Sequence, residues 1–338
     1  MNDFRFPDLG LYGQSVLRLA DLTDAQMLGL VDFAIALKAR KKSRAHVGHP
    51  LAPGRNICLV FEKSSTRTRS ATVVAIRDEG GTAEYLGSGD IHFGKKESVK
   101  DSARVLGRIY DGIMFRGFSQ RTVEDLAKYS GVPVWNGLTD EWHPTQVLAD
   151  LQTVKEHFGG LKGHTLAFVG DGRNNMANSL MVGCAKAGLN FINVCPESLA
   201  PEAAVVAIAQ EAAKRNGCTI RIEHDPVTGV KGADVLYTDV WASMGEEALF
   251  QQRVALLRPY QVNRAMMENT GNMAPGKLMF LHCLPAFHDN QTEVSRDCGA
   301  LEVNDDVFES EYSFVWDEAE NRLHTIKAMM MASLVKPE

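Results

Sequence analysis

Residues 57–81 read ICLVFEKSSTRTRSATVVAIRDEGG. The run Ile57 to Phe61 is short, apolar and unbroken, which predicts a buried strand. The stretch behind it places Ala71, Val74 and Ala75 on one helical face before stopping at Gly80-Gly81. A strand feeding directly into a helix predicts a mostly parallel sheet covered by helices. Between the two elements, Ser64 to Arg69 packs four hydroxyl side chains and two arginines into six positions. These donors fall at a helix N-terminus, where unpaired N–H groups and the macrodipole already favour negative charge. Arg67 and Arg69 add flat forks suited to phosphate, whereas capping a helix needs one hydroxyl only. The stretch therefore predicts an oxyanion site. The plainer alternative is a serine cap followed by surface arginines.

Outward from this segment the same alternation continues. TAEYL (82–86), a helix around 98–108 and GIMFRG (112–117) follow it. A second βαβ unit begins after Gly163 with TLAFVG, a glycine-containing turn, a helix bearing Met176, Leu180, Gly183, Cys184 and Ala187, and the strand FINVC. Val147, Leu151, Val154 and Phe158 recur at helical spacing, which places the domain junction on a helix rather than in a linker. Near the start, Thr23-Asp-Ala-Gln26 predicts a capping box, opening a helix that ends in KARKKSR (38–44), a cluster that reads as a solvated helix end. At the far end, Leu323, Ile326, Met330 and Leu334 line one face of a terminal helix.

With 338 residues, 45% hydrophobic and 23% charged, the chain can bury two domain cores. Its net charge of -6 argues against nucleic acid as a partner. No apolar stretch approaches the roughly 20 residues needed to cross a bilayer. MNDFRFPDLG also lacks the apolar centre of a signal peptide, so the expected location is the cytoplasm. The six cysteines are scattered without a C-x-x-C pair and read as free thiols, neither disulfides nor zinc ligands.

Five further stretches, and Arg322 near the end, carry candidate chemistry. GDGRNN (170–175) follows a strand and opens a helix as a dinucleotide-binding turn would, and Glu197 lies where a ribose-binding acid could sit, which is the case for an NAD-dependent oxidoreductase. Asn175 replaces the third glycine, however, and with Arg173 and Asn174 suits hydrogen bonding to a small polar molecule; a plain connection with Asn as helix cap is the third reading. Arg116 ends the strand of FRG, at the sheet edge where α/β proteins bind ligands. HPTQ (143–146) puts Pro144 at a first helical position, so that His143, Thr145 and Gln146 face the space before a helix N-terminus. DVWASMGEE (239–247) offers an acid, a hydroxyl and a thioether after the strand VLYT, and LHCLPAFHD (281–289) ends a strand with Cys283 before a Leu-Pro turn. Arg322 stands just ahead of the terminal helix, where a salt bridge is the plain explanation.

Together these motifs resemble the aspartate and ornithine carbamoyltransferase family, over nearly the whole chain. Ser65-Thr66-Arg67-Thr68-Arg69 matches its carbamoyl-phosphate signature, joined in order by Arg116 in FRGFSQ, the HPTQ box, Asp239 with Ser243-Met244-Gly245, and His282-Cys283-Leu284-Pro285. SMG and HCLP match the ornithine branch. The resemblance implies an α/β fold of two domains, each a mostly parallel sheet flanked by helices. Residues 1–148 would bind carbamoyl phosphate, 149–318 ornithine, and 319–338 would form a C-terminal helix packing back on the first domain. It further implies carbamoyl transfer to the δ-amine of L-ornithine by a homotrimer, or an assembly of trimers, with no metal and no cofactor. Putrescine is the alternative acceptor. On this resemblance Ser65, Thr66, Arg67, Thr68 and Arg116 bind phosphate, and Thr68, Arg116, His143 and Arg322 reach the carbonyl oxygen. Gln146, Cys283 and Leu284 accept from the carbamoyl NH2 group, Cys283 also orienting the attacking amine, while Asn175, Asp239, Ser243 and Met244 hold the amino acid. His92 of DIHFGKKES, where many relatives have Gln, would enter the carbamoyl-phosphate site of a neighbouring subunit.

Overall fold

The computed structural model describes residues 6–91, 93–94, 96–241, 250–296 and 298–337. The chain divides into two compact units, Met1–Gln152 with Glu320–Glu338, and Thr153–Ala319.

The first unit opens with α1 (Asp24–Lys42), started by the expected capping box between Thr23 and Gln26. It then alternates β1 (Asn56–Phe61), α2 (Thr66–Asp78), β2 (Thr82–Leu86), α3 (Val99–Ile109), β3 (Gly112–Arg116), α4 (Gln120–Ser130), β4 (Val134–Leu138) and α5 (Pro144–Phe158), in which the division of the chain falls. The strands form a parallel sheet in the order β2-β1-β3-β4. Ile57 to Phe61 are at most 1% exposed, as expected of a central parallel strand covered on both faces. Each such side chain gains about 1.5–3 kcal/mol by burial, which fixes the strand's place in the sheet. Because β1 lies between β2 and β3, the chain leaves the carboxyl ends of β1 and β3 in opposite directions and opens a crevice there. The register pairs Phe61 with Arg116, so the loops beginning at Glu62 and Gly117 flank that crevice.

The second unit contains β5 (Thr165–Val169), α6 (Asn175–Ala187), β6 (Asn190–Val194), α7 (Ala203–Asn216), β7 (Ile220–Glu223), β8 (Val235–Thr238) and β9 (Met279–His282). Its parallel sheet runs β7-β6-β5-β8-β9. The switch point lies between β5 and β8, where Val169 pairs with Thr238, and Thr238 pairs in turn with His282. GDGRNN, the segment at Asp239 and the turn at Cys283 thereby leave adjacent strands at one sheet edge.

The terminal helix, Val315–Leu334, begins earlier than expected and contains Arg322. From Glu320 onward it belongs to the first unit, tied to α1 by Lys38 Nζ on Asn321 Oδ1 (2.8 Å) and to β4 by Trp135 Nε1 on Ser333 Oγ (3.2 Å). Two other expectations are corrected. Val74 faces outward at 39% exposure, and α2 buries Thr68, Ala71, Thr72, Ala75 and Ile76. The basic cluster at 38–44 is only partly solvated: Arg40 is 5% exposed and its Nη1 meets both oxygens of Glu79 at 2.9 and 2.8 Å. A cation-rich helix end looks solvated in sequence because the two acids that bury it, Asp78 and Glu79, lie in another element.

Candidate active site

In the first unit the donors gather at the start of α2. Ser65 is its N-cap, the hydroxyl accepting from Thr68 N–H at 3.2 Å, while Thr66 stays exposed and Ser65 and Arg67 are half-buried. The serine therefore serves as a cap, and the remaining donors are additional to it. Thr68 is 1% exposed, and its hydroxyl accepts from Arg322 Nη2 at 2.8 Å. The other arm of that guanidinium, Nη1, donates to Gln146 Oε1 at 2.6 Å, and Nη2 also lies 3.4 Å from Thr145 Oγ1. Gln146 Nε2 donates to Asp150 Oδ1 at 2.8 Å, which sets the orientation of its amide. Thr145 Oγ1 sits 3.2 Å from His143 Nδ1, so Thr68, Arg322, Gln146, Thr145 and His143 form one buried hydrogen-bonded group.

Gly137 makes this approach feasible. Register shifts between Phe115 and Arg116 opposite Asn136 and Leu138, and a Cβ at Gly137 would lie 2.9 Å from Phe115 O and 3.1 Å from Thr68 Cγ2. The bulged glycine lets α2 press against β4. His143 is 4% exposed, and burial, reinforced by the charges of Arg322, Arg116 and Arg67, holds its pKa well below the ordinary histidine value. At neutral pH it is therefore an uncharged imidazole amid three guanidinium groups. Such a set can stabilise charge growing on an oxygen without itself giving up a proton. His92 lies outside the described residues.

In the second unit Asp239, just past β8, is the focus. Its Oδ1 accepts from Val240 N–H at 2.8 Å and from the Cys283 thiol at 3.1 Å, and its Oδ2 accepts from Asn174 Nδ2 at 3.2 Å. Burial raises its pKa above the ordinary aspartate value, with His282 and the Cys283 hydrogen bond opposing that rise. An ammonium group entering beside it would meet a partly desolvated acceptor. Asn175 starts α6, next to Asn174. Ser243 and Met244 lie outside the described residues.

The turn after β9 is built on buried acids. His282 and Glu302 are almost fully buried. Leu284 N–H donates to His282 Nδ1 at 2.9 Å, so the ring proton is on Nε2, 3.3 Å from Glu302 Oε1. Glu302 also accepts from Phe287 N–H at 2.7 Å, and Glu318 accepts from His282 N–H at 2.9 Å and from Tyr237 Oη at 3.1 Å. These ties shape the segment in which Leu284 takes φ 58° ahead of a cis peptide to Pro285. Asp239, His282 and Cys283 bring ligand-type atoms within 4.8 Å of one another. Both ring nitrogens of His282 are already used, however, so in this arrangement the imidazole offers no lone pair to a metal.

GDGRNN does not serve as a dinucleotide turn. Asn174 caps α6 by accepting from Ala177 N–H at 2.7 Å, filling the place of a pyrophosphate, and a Cβ at Gly172 would lie 2.7 Å from Cys195 Sγ and Leu199 O. The glycine serves close packing. Asn174 and Thr145 sit in stretches that the sequence marks as candidates, whereas Asp150, Glu302 and Glu318 lie outside every such stretch. Asp150 stands one helical turn from Gln146, a spacing that could have found it, whereas Glu302 and Glu318 carry no local signal because their partners His282, Phe287 and Tyr237 are remote in sequence. None of the six cysteines is in a disulfide, and among the described residues no helix is long and apolar enough to cross a membrane.

Comparison with known proteins places the two units in one family. Family models described as the aspartate/ornithine carbamoyltransferase carbamoyl-P binding domain and Asp/Orn binding domain match residues 14–156 and 162–333. The catabolic ornithine carbamoyltransferase of Enterococcus faecalis is 56% identical over 328 residues, covering 95% of this chain and 96% of the relative. Its namesake from Staphylococcus aureus is 55% identical over 330 residues, covering 96% and 97%. Among solved structures, ornithine carbamoyltransferase from Pyrococcus furiosus matches with a TM-score of 0.86 at 42% identity, covering 96% of this chain and 98% of that one. With both family models and full-length relatives in agreement, the chain belongs to the aspartate/ornithine carbamoyltransferase family.

Proposed function

We propose that this chain transfers the carbamoyl group of carbamoyl phosphate to the δ-amine of L-ornithine, giving L-citrulline and phosphate in a reversible reaction. The observation that carries the reading is the buried group in which Arg322 joins Thr68 and Gln146 next to the neutral His143 at the start of α2. The amine lone pair attacks the carbamoyl carbon, a C–N bond forms, charge collects on the carbonyl oxygen, and the C–O bond to phosphate breaks while the nitrogen sheds a proton. Stabilising both oxygens is the main catalytic need, and donors fixed in place before reaction supply it.

We assign Ser65, Thr66, Arg67, Thr68 and Arg116 to the phosphate, and Thr68, Arg116, His143 and Arg322 to the carbonyl oxygen. Gln146 and the carbonyls of Cys283 and Leu284 accept from the carbamoyl NH2 group. Asp239 pairs with the α-ammonium of ornithine, and Asn175, Ser243 and Met244 complete the amino-acid site. Cys283, whose thiol donates to Asp239, is placed to orient the amine. Residues 1–148 and 149–318 are then the carbamoyl-phosphate and ornithine domains, with 319–338 returning to the first. A cytoplasmic homotrimer, in which His92 enters a neighbour's site, completes the proposal, and the names of the relatives support the same chemistry. The test is citrulline formation from carbamoyl phosphate with ornithine, putrescine and aspartate side by side. Ornithine should be strongly preferred, since putrescine has no α-ammonium for Asp239; equal or faster turnover of putrescine would overturn the assignment.

A further inference from the structure

The terminal helix meets α2 at both ends. At the N-terminal end of α2, Arg322 Nη2 reaches Thr68 Oγ1 at 2.8 Å. At the C-terminal end, Lys327 Nζ lies 2.7 Å from Asp78 Oδ2 and 3.2 Å from Glu79 Oε1. Lys327 is 1% exposed and Glu79 is fully buried, so this is an interior ion pair rather than a surface one. From Thr68 to Asp78 is ten residues, about 15 Å of helix, whereas from Arg322 to Lys327 is five, about 7.5 Å. The unequal spans are bridged by the two long side chains, and sliding one helix along the other would take one of them out of reach. We propose that Lys327 is a positioning residue for the reaction: its pairing with Asp78 and Glu79 sets the register of the terminal helix on α2 and so holds the Arg322 fork against Thr68 and Gln146. This rests on the carbamoyl-transfer reading above for its kinetic consequence, and on geometry alone for its structural one.

The neighbouring charges make the idea testable without unfolding the domain. Asp78 Oδ2 also takes Lys41 Nζ at 2.6 Å, and Glu79 takes Arg40 Nη1, so Lys327→Met leaves each carboxylate with a cation. Lys41→Met removes a partner of Asp78 without touching the terminal helix. The expected results are a kcat lowered about 10- to 100-fold in Lys327→Met, an unchanged KM for ornithine, and no comparable loss in Lys41→Met. In an Arg322→Gln background, Lys327→Met should cost no further kcat, because the two changes act through one group. A crystal structure of Lys327→Met should show the Arg322 fork withdrawn from the Thr68 hydroxyl. Losses that multiply in the double variant, an equal loss in Lys41→Met, or Arg322 still seated on Thr68 in the Lys327→Met crystal would each overturn the inference. Should the wild type fail to carbamoylate ornithine, the functional reading falls and the crystal structure alone decides the positioning role. Asp78→Asn, which loosens the same tie while Lys327 keeps Glu79, serves if Lys327→Met folds poorly.

Discussion

Arg322 donates to the hydroxyl of Thr68, 254 positions earlier in the chain, while its other arm donates to Gln146. A planar fork can hold two acceptors in fixed directions at once; an ammonium group on a flexible stem cannot. Arg322→Lys should keep the charge and lose the geometry, with kcat for citrulline formation down on the order of 10²-fold. Near-normal kcat at saturating substrates would remove Arg322 from the transition state.

Arg67 presents a guanidinium beside the exposed start of α2 and is one of the charges that keep His143 neutral. Arg67→Ala should lower kcat by about 10²-fold or more, since it deletes a charged donor to the departing phosphate. If saturating carbamoyl phosphate restores wild-type turnover, the residue contributes to ground-state binding only.

Asp239 accepts three hydrogen bonds from Val240, Cys283 and Asn174, which fix its carboxylate in place. Asp239→Asn removes the charge that an α-ammonium would pair with, a loss of about 1.5–3 kcal/mol. The KM for ornithine should rise roughly 10- to 100-fold while that for carbamoyl phosphate changes little, and preference over putrescine should shrink. The opposite pattern would reverse the assignment of the two units.

Turnover should climb from neutral toward mildly alkaline pH. Only the neutral δ-amine is a nucleophile, and a lysine-like amine has a pKa of about 10. His143 cannot account for such a rise, because its lowered pKa leaves it uncharged throughout. A pH-independent kcat between about pH 6 and 9 would instead point to product release as the slow step.

Stability should fall in mild acid because of His324. Burial lowers its pKa to about 4, with Glu320 opposing the shift and Lys327 and Lys38 adding to it. The folded state then binds fewer protons than the unfolded one between pH 4 and 6.5, so its contribution is fully present above the unfolded value and drains away as pH falls toward the folded one. Between pH 7.5 and 5 the loss is about 2 kcal/mol. Urea unfolding at the two pH values, compared with His324→Gln, should show a smaller drop in the variant; equal drops would place the acid sensitivity elsewhere.

Local pattern carried much of this molecule. Ile57 to Phe61, TLAFVG and FINVC read as buried strands because parallel strands covered on both faces are apolar throughout, and the helices after them declare themselves by periodicity and caps. The donors from Ser65 to Thr68, Arg116 and HPTQ were visible for a related reason: open α/β sheets bind ligands at strand ends, so a polar cluster directly after an apolar run marks its own position. Sequence could not say which of these clusters meet. The orders β2-β1-β3-β4 and β7-β6-β5-β8-β9 decide that, by setting β3 beside β1 and β9 beside β8. Nor could it show that KARKKSR ends in a buried ion-pair cluster, or that Glu302 and Glu318 hold the His282 turn, because charged side chains are buried only where a remote partner offsets the loss of water. Periodicity is a property of neighbours along the chain; partnership across 254 positions is a property of the packed core alone.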